Sequence, residues 1–134
     1  MAIDIPGLSD EQGHQIFKTA ADWAFNAITI TEALPAGGAG PIVYVNEAFT
    51  EMTGYAPEEV LGRTPGMLQG PNTEREVLQR LADQIERGEV FHGETINYRK
   101  DGNEFILEWI VIPVKKGETV THYVAVQHDV TGRL

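Results

Sequence analysis

The 134 residues allow one domain with a single ordinary core. A formal net charge of −10 argues against non-specific binding to nucleic acid or an anionic membrane, and the absence of cysteine excludes disulfides, thiolate metal sites and cysteine nucleophiles. No basic stretch precedes an apolar run and no run reaches transmembrane length, so a cytoplasmic location is expected.

Residues 1–8 read as an extended tail. Ser9 followed by Asp10 and Glu11 marks a helix start. Ile16, Phe17, Ala20, Trp23 and Ala24 then recur at helical spacing, giving an amphipathic helix of about four turns. Residues 27–31 alternate as a first strand, 34–41 form a Gly/Pro loop, and 42–45 form a second strand. Two short helices follow, over 46–55 with Gly54 suited to end it and over 56–62 with an early proline.

The stretch from Gly62 to Thr73 holds three glycines and two prolines, which exclude a long helix or a central strand. Its apolar Met67 and Leu68 predict a short helical turn pressed onto the core. From Thr73 to about Arg87 a helix carries Val77, Leu78, Leu81 and Ile85 as its apolar stripe. Strands over 90–100, 103–115 and 120–130 follow, joined at Asp101-Gly102 and Lys116-Gly117-Glu118. The order predicts an α+β fold, with helices grouped on an antiparallel sheet.

Four segments carry a resemblance. They are Ile42-Val43-Tyr44-Val45-Asn46-Glu47-Ala48-Phe49, Met52-Thr53-Gly54-Tyr55 with Glu59 to Arg63, Tyr98 to Gly102, and Asp129-Val130-Thr131. Together they resemble the PAS superfamily. Gly62, Arg63, Leu68, Gln69, Gly70 and Pro71 match the motif Gly-Arg-Asn-Cys-Arg-Phe-Leu-Gln-Gly-Pro of its flavin-binding LOV branch. The resemblance implies a PAS fold over residues 26–131: a five-stranded antiparallel sheet with short helices on one face. An N-terminal extension over 1–25 would precede it and a linker would start at 132–134.

That resemblance also implies a flavin site. Asn97 and Gln127 match carboxamides that hydrogen-bond the polar rim of the flavin, to which an amide offers both a donor and an acceptor without charge. Gln69 matches a glutamine at the ribityl chain or phosphate, and Asn26 a polar position near the ring. Ile28 and Ile30 are expected to line the cavity from the first strand, with Ala125 leaving room for a flat ligand. Strand alternation puts Tyr123, Ala125 and Gln127 on one face, and Phe91, Thr95 and Asn97 on one face. Thr64, Pro65, Leu68 and Leu107 complete the expected contacts.

Five departures stand out, the first being Thr64 in place of an asparagine. Pro65 replaces the photoreactive cysteine and abolishes adduct photochemistry. Leu107 replaces a second flavin-edge asparagine. Gly66 and Ala82 replace the two arginines that clamp the FMN phosphate, a loss of charge-assisted bonds that weakens FMN and points toward FAD, unless Arg63, Arg75 or Arg80 substitutes.

The expected function is a flavin-binding sensor that responds to redox state or blue light through Gln127 and signals to an effector or partner. The alternative is a cofactor-free PAS dimerisation module. In either case a homodimer is expected through the N-terminal helix and the outer sheet face, where Ile106, Ile110 and Ile112 lie. Glu108 on that face resembles a glutamate of FAD-binding redox-sensing PAS domains; its other reading is a charge at a strand edge or paired with a lysine. Trp23 and Trp109 read as packing residues. The scattered His14, His92, His122 and His128 offer no metal-ligand spacing, and no catalytic motif is visible.

Overall fold

The computed structural model describes residues 9–132, so the expected tail and the last two linker positions lie outside the described residues. Ser9 starts helix α1 (Asp10–Asp22): its hydroxyl accepts the Gln12 amide N–H while the Gln12 side chain accepts the Ser9 N–H, a reciprocal cap. No α1 residue is buried, and Ile16 and Phe17 are each 45% exposed. The helix is tied to the body at its C-terminal end, where the Tyr44 hydroxyl donates to Asp22 Oδ1 at 2.6 Å and Asn46 Nδ2 donates to the Ala21 carbonyl at 2.9 Å.

Strands β1 (Ala27–Ala33) and β2 (Ala39–Val45) follow. The expected loop over 34–41 is shorter in the structure, because a tight turn closes with Gly37 N–H donating to Leu34 O and Leu34 N–H to Gly38 O. Strand β2 therefore starts three residues earlier than expected. Pro41 is tolerated inside it because β2 is an edge strand.

Asn46 caps α2 (Glu47–Thr53), and Gly54 at φ 81° ends it in the left-handed conformation. Helix α3 (Pro57–Val60) leads to a single 3-10 turn at Pro65–Leu68, the turn expected from the Gly/Pro-rich stretch. Helix α4 (Arg75–Glu86) carries the apolar stripe inward, with Ile85 buried. The meander is β3 (Phe91–Tyr98), β4 (Glu104–Lys116) and β5 (Thr119–Asp129).

All strand pairs are antiparallel, in the order β2-β1-β5-β4-β3. The first and last strands in sequence thus meet at the middle of the sheet. The helices cover one face, over a core with Phe91, Phe105, Leu107 and Trp109 on one side and Ile42, Phe49, Val60 and Leu68 on the other. Phe91 and Trp109 pack at 4.9 Å between ring centroids with a 57° tilt, and the Arg80 guanidinium covers Phe91 at 4.7 Å.

The chain closes at Asp129-Val130-Thr131. Asp129 accepts from the Thr131 amide and hydroxyl at 2.9 and 2.6 Å, and from Arg99 at 2.7 Å. Burial pushes its carboxyl pKa up, but the Thr131 bonds and the Arg99 guanidinium outweigh that and hold it below the usual aspartate range. A depressed carboxylate contributes stability above its unfolded pKa and loses it as pH falls through the folded one. Asp129→Asn should therefore cost about 1–3 kcal/mol at neutral pH. Denaturant unfolding across pH should show the gap to wild type shrinking below about pH 4, and a pH-independent gap would refute the assignment.

Candidate functional site

A cavity of about 80 Å³ lies between the inner sheet face and the helices. Its floor comes from β1 (Thr29, Thr31), β4 (Trp109, Val111) and β5 (Tyr123, Ala125, Gln127). Its roof comes from Pro65 and Leu68 of the 3-10 turn, Leu81 and Ile85 of α4, and Phe49 of α2. The lining is largely apolar, with polar groups concentrated on β1 and β5.

Gln127 is 6% exposed, and its Oε1 accepts the Thr29 hydroxyl at 2.8 Å. Two residues along the same face, Thr31 Oγ1 is buried with no hydrogen-bond partner. An orphaned hydroxyl inside a protein costs about 1–3 kcal/mol, so a polar atom entering this cavity would be stabilised there. The donor set fits a flat heterocycle with a polar rim. The volume is below the roughly 300–1,000 Å³ of small-molecule pockets, so a ring of that size enters only if the roof moves outward.

The structure brings together Pro65, Leu68, Ala125 and Gln127 among the expected site residues. It corrects the first strand: Ala27, Thr29 and Thr31 are the buried positions, and Ile28 and Ile30 point to the outer face. The reason is register. Ile28 and Ile30 sit opposite Val126 and Val124, which continue across β4 to Ile110 and Ile112, so an apolar band on the outer face accommodates them.

Asn97 is buried on the inner face of β3 and Leu107, at 1% exposure, on that of β4, but neither belongs to the cavity wall. Across the sheet Gln127 is opposite Trp109, whereas Asn97 is opposite Phe105, four residues along β4. Thr64 is exposed and precedes the 3-10 turn. Asn26 shares with Gln127 only an outer groove of about 320 Å³ that also contains Arg99 and Asp129, and its side chain meets His128 there. Gln127 borders both spaces.

Gln69 lies away from the cavity, in a surface pocket of about 250 Å³ with Arg75 and Leu78. Arg80 is occupied by the His92 carbonyl at 2.9 Å and the Phe91 ring. Of the three arginines considered as substitutes for the lost clamp, Arg75 is the one that shares a pocket with Gln69. Arg75 therefore offsets the loss of the clamp, and the expected preference for FAD over FMN is not supported.

The loop joining the 3-10 turn to α4 is strapped to β3. Asn72 N–H donates to the Tyr98 hydroxyl and Thr73 Oγ1 to the Ile96 carbonyl, at 2.9 and 2.6 Å. Gly70 sits flat on the Tyr98 ring, where a Cβ would come within 2.2 Å of a ring carbon. That close approach is a packing reason for glycine at this point of the motif.

Glu108 is neither at a sheet edge nor lysine-paired. It lies on β4, an interior strand between β5 and β3, and meets His92 of β3 at 3.1 Å. Sequence reasoning missed Thr29, Thr31, Trp109 and Tyr123 as cavity residues. Of these, Tyr123 was already placed on the face of Gln127 by alternation; Thr29 and Thr31 needed the register.

No helix among the described residues is long and apolar enough to cross a membrane, and no cluster of metal-ligating side chains occurs among them. The family model for the PAS domain matches residues 33–132. Phototropin-2 of Oryza sativa subsp. japonica is 38% identical over 92 residues, covering 68% of this chain, which in turn spans only 10% of that protein. A solved RNA-binding light-oxygen-voltage receptor superposes with a TM-score of 0.83 at 34% identity, covering 99% of this chain and 38% of its own. A solved light-oxygen-voltage domain whose mechanism was probed with a flavin analogue gives 0.75 at 34% identity, covering 90% of this chain and 86% of its own. A five-stranded sheet in this order, a cavity under a Gly/Pro-rich turn and these similarities agree: the chain belongs to the PAS domain family and has light-oxygen-voltage domains among its relatives.

Proposed function

We propose that this chain is a flavin-binding sensor domain that responds to redox state or blue light without a cysteinyl adduct. The observation that carries the reading is the pairing of a buried amide, Gln127, with an unpartnered hydroxyl, Thr31, at one apolar cavity beneath Pro65 and Leu68. The relationship to a light-oxygen-voltage domain whose mechanism was probed with a flavin analogue supports it.

When bound, the flavin supplies a ring nitrogen that accepts a hydrogen bond when oxidised and donates one when reduced. Gln127 answers either state, because its carboxamide carries an acceptor and a donor on opposite edges. Leu68, Leu81, Ile85 and Val111 of the cavity lining would exclude water from the ring once the roof had opened to admit it. Arg75 with Gln69 would hold the phosphate end, whether of FMN or of FAD. A change at Gln127 reaches the outer groove and the Arg99–Asp129 pair two residues along β5, and from there an effector or partner.

The test is the visible absorption spectrum of the freshly purified protein, with chromatography of whatever denaturation releases. A structured blue band and released FMN or FAD are expected. A colourless protein that takes up no added flavin would overturn the reading.

A second reading, a cofactor-free dimerisation module, is favoured by the small cavity and the uncovered apolar surface. Ile110, Ile112 and Val114 are 38–40% exposed on the outer sheet face, and α1 leaves Ile16 and Phe17 open. Both readings place a homodimer on these surfaces. Light scattering should give a dimer mass for the wild type and a monomer for Ile110→Glu with Ile112→Glu. A wild-type monomer, or a dimer unmoved by the pair, would sink that interface.

A further inference from the structure

We infer that Thr29 is the positioning residue of Gln127: its hydroxyl holds one edge of the amide so that the opposite edge is the one presented for binding. The inference deepens the proposed sensor and rests on Gln127 being its switch, but the contact itself stands without a cofactor. Both partners are nearly fully buried, Thr29 at 2% and Gln127 at 6% exposure, and the bond is 2.8 Å. It runs across neighbouring strands: Ala27 is the register partner of Gln127 on β5, and Thr29, two residues on, shares its face.

The chemistry of a hydroxyl makes it suited to this place. It donates to Oε1 in the present arrangement, which leaves the amide nitrogen as the edge turned elsewhere. After a half-turn of the amide, the same oxygen accepts from Nε2 and Oε1 becomes the presented edge. One side chain thus satisfies the held edge of the amide in both orientations. Valine, of nearly the same shape, offers neither donor nor acceptor and puts a methyl against a buried amide edge.

The position of Gln127 gives the arrangement a consequence. It borders the inner cavity and the outer groove that holds Asp129 and Arg99, so turning the amide changes what both spaces meet. Ala125, the register partner of Thr29 and the residue before Gln127 on its face, carries no polar group to compete for the Thr29 hydroxyl.

The experiment compares wild type, Thr29→Val and Thr29→Ser in two forms. In the protein without flavin, the side-chain amide signal of Gln127 is followed by NMR with isotope-labelled glutamine and is assigned by its loss in Gln127→Leu. Thr29→Val should shift this signal, and Thr29→Ser should keep it at the wild-type position. In protein loaded with FMN, the reduced-minus-oxidised infrared difference spectrum should contain a Gln127 carbonyl band. That band should be displaced or lost in Thr29→Val and restored in Thr29→Ser.

A role in packing alone predicts the reverse, since valine keeps the volume and serine does not. A Gln127 signal unmoved in Thr29→Val, or moved equally in both variants, overturns the inference. If the wild type takes up no FMN, the sensor reading falls, and the flavin-free arm still decides the Thr29 contact.

Discussion

Replacing Pro65 by cysteine should turn a protein that shows no light-driven adduct into one whose visible flavin band bleaches under blue light and recovers in the dark. Pro65 occupies the motif position of the photoreactive cysteine, and its side chain lines the cavity. A thiol there would face the space proposed for the ring and supply the nucleophile that the cysteine-free chain lacks. The change is structurally mild. Pro65 begins the 3-10 turn, where proline is favoured because its missing N–H would go unpaired anyway. Its loss removes some preorganisation, at about 0.4–1 kcal/mol. Absorption before and after illumination reads the result. A flavin-loaded Pro65→Cys protein without reversible bleaching would mean that this wall of the cavity does not face the ring, and the proposed pose would fall.

Gln127→Leu should have the opposite effect, retaining flavin while uncoupling it. Leucine keeps an apolar side chain of comparable size beside Ala125, so the ring still has its surface. The variant removes both the acceptor for Thr29 and the edge that answers the cofactor. The stranded Thr29 hydroxyl costs about 1–3 kcal/mol, partly offset by the apolar side chain that replaces the amide. Hydrogen exchange in the oxidised and reduced states should differ around residues 127–131 in the wild type and should not differ in the variant. An unchanged reduction-induced exchange pattern in Gln127→Leu would show that the signal leaves by another route. Thr29→Val, measured alongside, separates loss of the amide from loss of its support.

These expectations rest on parts of the molecule that were not equally legible in the sequence. Local chemistry carried the elements with strong punctuation. The Ser9 cap, Gly54 at the end of α2, the inward stripe of α4 and the turn at Gly117 all appear where their residue types demand them, because each is decided within a few residues of chain. The ordered motifs from Ile42 to Arg63 and at Asp129-Val130-Thr131 were enough to identify the family, and the Gly/Pro-rich stretch enough to locate a turn on the core.

What the chain alone left open was which face of β1 looks inward. Ala27, Ile28, Thr29, Ile30 and Thr31 alternate, and the larger apolar set invites the choice of the isoleucines for the interior. That choice fails because the outer sheet face is itself apolar, with Val124, Val126, Ile110 and Ile112 alongside. A period of two names two faces without saying which is buried; pairing with β5 decides it. The same long-range register puts Trp109 opposite Gln127 and leaves Asn97 beside Phe105, across two strands and four residues. Residue types and spacing determined the fold and the neighbourhood of the site. The composition of its polar edge, Thr29 and Thr31 with Gln127, was decided by tertiary structure, because it depends on strands almost a hundred residues apart coming into register.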